Sequence, residues 1–150
     1  MRVKVLLVTL LVGIPAFLLA PTAPLGPAIW PAPAPLMPAP TPGQVKLLMV
    51  FGVLEAAALG LGVAFVILAW PLVRRAAAPI RGRALAFYLG TAWLLVNWWF
   101  HDGLHMVSGM NPGALVWIEY AFHGTLIAAG AALAWCFATL DWQRGAPRAR

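Results

Sequence analysis

The chain has 150 residues, 63% of them hydrophobic and 9% charged, with a mean hydropathy of +0.87. A soluble domain of this length is not that apolar, so the composition points to an integral membrane protein with room for about four segments of about 20 residues, packed as one bundle. Ten basic residues against four acidic ones give a net charge of +6, but they stand at segment ends and not along a helical face or an aromatic groove, which excludes nucleic acid as a partner.

The expected fold is all-α, an integral membrane four-helix bundle whose spans run over residues 3–20, 45–73, 84–107 and 113–140. The first span, opened by Met1, Arg2, Val3 and Lys4, also resembles a secretory signal peptide. Pro21 and Pro24 lie next to the small-residue sites where cleavage would fall, which favours an uncleaved helix; cleavage would leave three helices. Residues 21–43 are rich in proline and alanine and read as an extracytoplasmic, polyproline-like connector, because each proline fixes φ and removes a backbone donor.

The second span carries Ala56, Gly60 and Ala64 at four-residue spacing, and the fourth carries Gly124, Ala128 and Ala132. Small residues in such rows let helix backbones approach closely in a membrane. The single Cys136 has no partner for a disulfide and reads as packing.

Arg2 and Lys4 precede the first span, Arg74, Arg75, Arg81 and Arg83 join the second to the third, and Arg144, Arg148 and Arg150 follow the last. By the positive-inside rule both termini face the cytoplasm of a cell-membrane, multi-pass protein. Trp98, Trp99 and Trp117 then belong to the outer interfacial belt, with Trp70, Trp135 and Trp142 in the inner one.

All three histidines and two of the four acidic residues fall between His101 and His123, where the third span ends and the fourth begins. Ionisable groups are costly in hydrocarbon, so such a cluster needs partners, a metal or water. Asn97, His101 and His105 recur every four residues and form one helical stripe flanked by Asp102, while Glu119 and His123 form a second. A turn near Met110 and Asn111 would set His101 opposite approximately Tyr120, within a turn of Glu119 and His123 and roughly 8 to 15 Å below the outer surface. Helix rotation decides whether the stripes face each other, and no pattern settles it.

Glu55 lies at a similar depth in the second span with no basic residue in its helix to pair with, so a histidine or a shared metal in the hairpin is its expected partner. The candidate metal ligands are therefore His101, His105, Glu119, His123 and Glu55, with Asp102 and Asn97 supporting them from behind. Imidazole nitrogen and carboxylate oxygen suit zinc, iron, manganese or copper. If the site is catalytic, Glu119 or Asp102 is available as the base.

Other readings of the same residues are a hydrogen-bonded hairpin without a metal, a haem held by His101 and His123, and a proton relay that lacks members in the inner half of the bilayer. The competing functional class is a non-enzymatic accessory subunit docked to a larger membrane complex, and a homo-oligomer would complete a site left open by one chain. One His-x-x-x-His box and three histidines fall short of the several boxes of membrane di-iron hydroxylases and desaturases.

Overall fold

The computed structural model describes residues 1–35, 39–76 and 82–139. Among them are five α-helices, α1 (Arg2–Leu18), α2 (Pro42–Leu68), α3 (Trp70–Ala76), α4 (Arg83–Ser108) and α5 (Pro112–Ala138), with one 3-10 turn at Gly26–Ala28. The protein is an all-α helical bundle. Two of its helices, α2 and α5, are long and apolar enough to cross a membrane on length and composition.

Local chemistry sets the boundaries. Thr41 and Gln44 form a reciprocal capping box at the start of α2, with Pro42 in the first turn where its missing N–H costs nothing. Asn111 caps α5 by accepting hydrogen bonds from the N–H groups of Gly113 (3.1 Å) and Ala114 (3.3 Å). Gly109, with φ of 54°, ends α4 in a conformation that L side chains rarely adopt. The expected second span of residues 45–73 is in fact two helices. Pro71 has no N–H to give the carbonyl of Ile67 and its ring crowds that carbonyl, so α2 stops at Leu68 and α3 starts afresh.

The long helices pack as an antiparallel row in the order α1, α2, α4, α5, with α3 against the start of α4. Small residues make each seam. A Cβ on Gly60 would lie 2.3 Å from the Thr9 carbonyl oxygen, and one on Gly62 would lie 2.5 Å from the Val96 side chain. Ala56, Gly60 and Ala64 are all buried, as their spacing suggested, with Gly60 against α1. On α5 the corresponding row starts open, since among the described residues nothing lies within 4 Å of a Cβ built on Gly124.

Trp99 is a correction to the belt assignment. It is 8% exposed, it belongs to the hydrophobic core with Ala16, Ala56 and Leu59, and its indole N–H donates to the Ala16 carbonyl at 3.0 Å. Trp98 and Phe100, its neighbours in sequence, do face outward, because consecutive residues on a helix point about 100° apart.

The connector also departs from an extended linker. Leu18, Ala20, Ala23 and Gly26 carbonyls accept a run of backbone hydrogen bonds that curls residues 18–30 back over the bundle end. Proline's fixed φ is compatible with that 3-10 turn. Trp30 then donates to the Leu19 carbonyl at 2.9 Å, packs on Trp99 with ring centroids 5.5 Å apart, and covers Gly103.

Candidate metal centre

Antiparallel packing puts the ends of α1 and α4 and the starts of α2 and α5 at one pole of the bundle, and the histidine cluster lies there. The relative rotation of α4 and α5 is set by contacts of Trp93, two turns below His101 on α4, with Phe122 and Thr125 on α5. Trp93 stacks on Phe122 with centroids 5.8 Å apart, and its indole N–H donates to the Thr125 hydroxyl at 3.0 Å. Those contacts turn the His101 stripe of α4 toward the Glu119 stripe of α5.

His101, Glu119 and His123 each offer a ligand atom, and the three atoms lie within 4.8 Å of one another. This is a His/Glu/His cluster with the composition and convergence needed to coordinate a metal ion. His101 is buried at 7% exposure, Glu119 is half-buried and His123 is exposed, so the cluster is walled on the α4 side and open on the α5 side. The His101 and His123 rings are 5.2 Å apart, with Phe122 5.3 Å from His101 and Trp98 edge-on at 6.2 Å.

Ion-pair contacts and hydrogen bonds together link these side chains into a chain. Glu119 spans both helices, with Oε2 at 2.5 Å from His123 Nδ1 and Oε1 at 3.3 Å from His105 Nε2. His105 Nε2 lies 3.1 Å from His101 Nε2, so His105 borders the converging atoms. Asp102 Oδ1 lies 2.8 Å from His101 Nδ1. A carboxylate in that position makes Nδ1 the donor, which leaves the Nε2 lone pair for a cation and fixes the ring plane.

Glu55 does not reach a histidine. Its carboxyl neighbours that of Asp102, a placement consistent with helix register. Gly62 meets Leu95 and Val96, and two turns along the antiparallel pair bring Glu55 to Asp102. Glu55 therefore stands two side chains behind His101, outside the set of converging ligand atoms.

Asn97, fully buried, turns its amide onto its own helix, donating to the Trp93 (2.6 Å) and Leu94 (3.2 Å) carbonyls, and its Oδ1 has no hydrogen-bond partner. It makes no hydrogen bond to the histidines, because a residue four before His101 sits a full turn deeper. Sequence reasoning did not single out Trp93, Thr125 or Trp30. The only signal for the first two was their position one to two turns inward of His101 and Glu119 on the same faces.

Fold and site together define an all-α helical protein with a His/Glu/His cluster able to coordinate a metal ion. No protein family, no curated protein and no solved structure matches the chain.

Proposed function

We propose that this chain is a multi-pass membrane protein that binds a transition metal through His101, Glu119 and His123 near its extracytoplasmic face, for catalysis or for metal handling. The observation that carries the reading is the convergence of those three ligand atoms, from two helices, within 4.8 Å.

Two imidazoles and one carboxylate are the donor set of both catalytic zinc and non-haem iron(II), and both leave coordination positions for water or substrate. A metal there acts as a Lewis acid or activates water. His105 borders the ligands at hydrogen-bonding distance and is placed to become a fourth ligand or to accept a proton. Asp102 holds His101, and Glu55 stands behind Asp102. A haem is disfavoured because a porphyrin between His101 and His123 needs the imidazoles on opposite faces of a macrocycle, and the rings are in near contact.

Membrane placement is supported by what α2 and α5 leave uncovered. Only 28% of the most apolar stretch of α2 and 6% of that of α5 is buried, whereas an apolar helix in a soluble protein would be the core. We assign α1, α2, α4 and α5 as the four spans, with α3 at the cytoplasmic boundary. Arg2 and Lys4 at the start of α1, Arg74 and Arg75 at the end of α3, and Arg83 at the start of α4 gather at the pole opposite the histidines. That separation, with Lys46 near the start of α2 as the exception, supports a topology with both termini inside and the metal centre outside.

A second reading, an accessory subunit without enzymatic activity, draws on α5. Its Trp117 and Tyr120 are each 75% exposed and its glycine row starts open, so a partner helix or a second copy fits there as readily as lipid. The two readings separate on metal content. Protein purified in mild detergent without chelator carries about one metal per chain by elemental mass spectrometry, and His101→Ala loses it while keeping its helicity. A metal-free, well-folded wild type after reconstitution with zinc, iron, manganese and copper leaves the accessory reading.

A further inference from the structure

At the pole opposite the histidines, α3, α4 and α5 border a partly open cavity of about 350 Å³, lined by Val73, Ala76, Arg83, Phe87, Cys136 and Phe137 among others. Its surface is almost wholly apolar, and among the described residues Arg83 is its one charged lining residue. Arg83 is itself buried, at 4% exposure, and is anchored to the cavity wall by donating from Nη1 to the Thr139 carbonyl at 2.5 Å. The Cys136 thiol donates to the Arg83 carbonyl at 3.5 Å, which ties α5 to the start of α4 at the same level. Arg74 and Arg75 are exposed in the last turn of α3, beside Val73 and Ala76.

An apolar void gives water no partners and takes a hydrocarbon ligand instead. At roughly 30 Å³ for each group of water's size, this one accommodates about a dozen methylenes. It has the form of a ligand pocket, apolar walls with a single placed charge, and basic pockets between membrane helices on the cytoplasmic side bind anionic headgroups.

We propose that this cavity holds one acyl chain of an anionic phospholipid, whose phosphate is met by Arg74, Arg75 and Arg83. The site rests on the membrane placement above, though not on the metal. Charge complementarity selects an anionic lipid over a zwitterionic one, and the apolar walls select a chain over a headgroup alone.

The test uses the full chain in mild detergent, incubated with equal amounts of phosphatidylglycerol and phosphatidylcholine and read by native mass spectrometry. In parallel, the rate at which a maleimide alkylates Cys136, the chain's sole thiol, reports on the cavity directly. One phosphatidylglycerol per chain is expected, preferred about tenfold over phosphatidylcholine, with alkylation of Cys136 slowed when it is bound. Ala76→Phe fills the cavity from an exposed position and abolishes both effects. The double substitution Arg74→Gln, Arg75→Gln leaves the fold untouched and removes the preference between the lipids.

Equal retention of the two lipids by wild type, or unchanged retention and Cys136 protection in Ala76→Phe, overturns the lipid site. Carbonate washing of membranes separates this from the wider reading. Protein that stays in the membrane yet shows no lipid preference overturns the site alone, and protein released by carbonate overturns both.

Discussion

Asp102→Ala probes how the metal centre is held without removing any of its three converging ligands. Asp102 contributes the 2.8 Å contact that orients His101 and directs its Nε2 inward. Outer-sphere carboxylates of this kind typically account for 10- to 100-fold in metal affinity, about 1.4 to 2.7 kcal/mol. The Asp102 side chain is 46% exposed, so solvent already weakens the contact and the lower half of that range, about 10- to 30-fold, is expected. Competition with a chromophoric chelator, run on detergent-solubilised protein of unchanged helicity, measures it. An affinity within about twofold of wild type would refute the claim that Asp102 positions His101.

Glu55 acts one step further back, so Glu55→Gln, which keeps a hydrogen-bonding group against Asp102, leaves metal affinity closer to wild type than Glu55→Leu does; equal losses in the two would mean the carboxyl only fills space. Because ligating imidazoles and carboxylates must be deprotonated, metal binding releases protons and the measured affinity falls on acidification, a trend that isothermal titration in buffers of different ionisation enthalpy detects. Thr125→Val removes the hydrogen bond from Trp93 and with it about 0.6 to 1.7 kcal/mol of α4–α5 association, read as a lowered midpoint of denaturation in mixed micelles. Gly60→Leu drives a side chain into the Thr9 backbone, since even a Cβ there lies 2.3 Å from its carbonyl oxygen; it destabilises the bundle by about 1 to 3 kcal/mol or more while metal content per folded molecule holds, and an unaltered stability would contradict the packing of α1 on α2.

What was legible in the sequence followed from periodicity and composition. The helical class, the long apolar helices α2 and α5 and the small-residue seam of Ala56, Gly60 and Ala64 depend on composition and spacing along one helix, and both are explicit in a sequence. The i, i+4 rows that gather His101, Glu119 and His123 were legible for the same reason.

The details that depend on relations between helices were not. The axial register was close, with His101 within reach of both Glu119 and His123 as a turn near Met110 and Asn111 implied, but which faces of the two helices meet was open. Rotation about the helix axis is decided by Trp93 against Phe122 and Thr125, a contact across 29 to 32 positions of sequence that no local pattern encodes. Glu55 was expected to meet a histidine or a shared metal and lies beside Asp102, since depth alone does not distinguish the two flanks of α4. Trp30 sits in a proline-rich stretch that looks unable to pack, yet the backbone hydrogen bonds of residues 18–30 carry it onto Trp99.

The most direct test of the central claim, that His101, Glu119 and His123 hold one metal together, is X-ray absorption at the metal edge of the loaded protein. The account predicts imidazole scattering from two rings at about 2.0 to 2.1 Å with a carboxylate oxygen at similar distance, falling to one ring in His123→Ala. A spectrum dominated by sulfur, or an all-oxygen shell indistinguishable between wild type and His123→Ala, would contradict it.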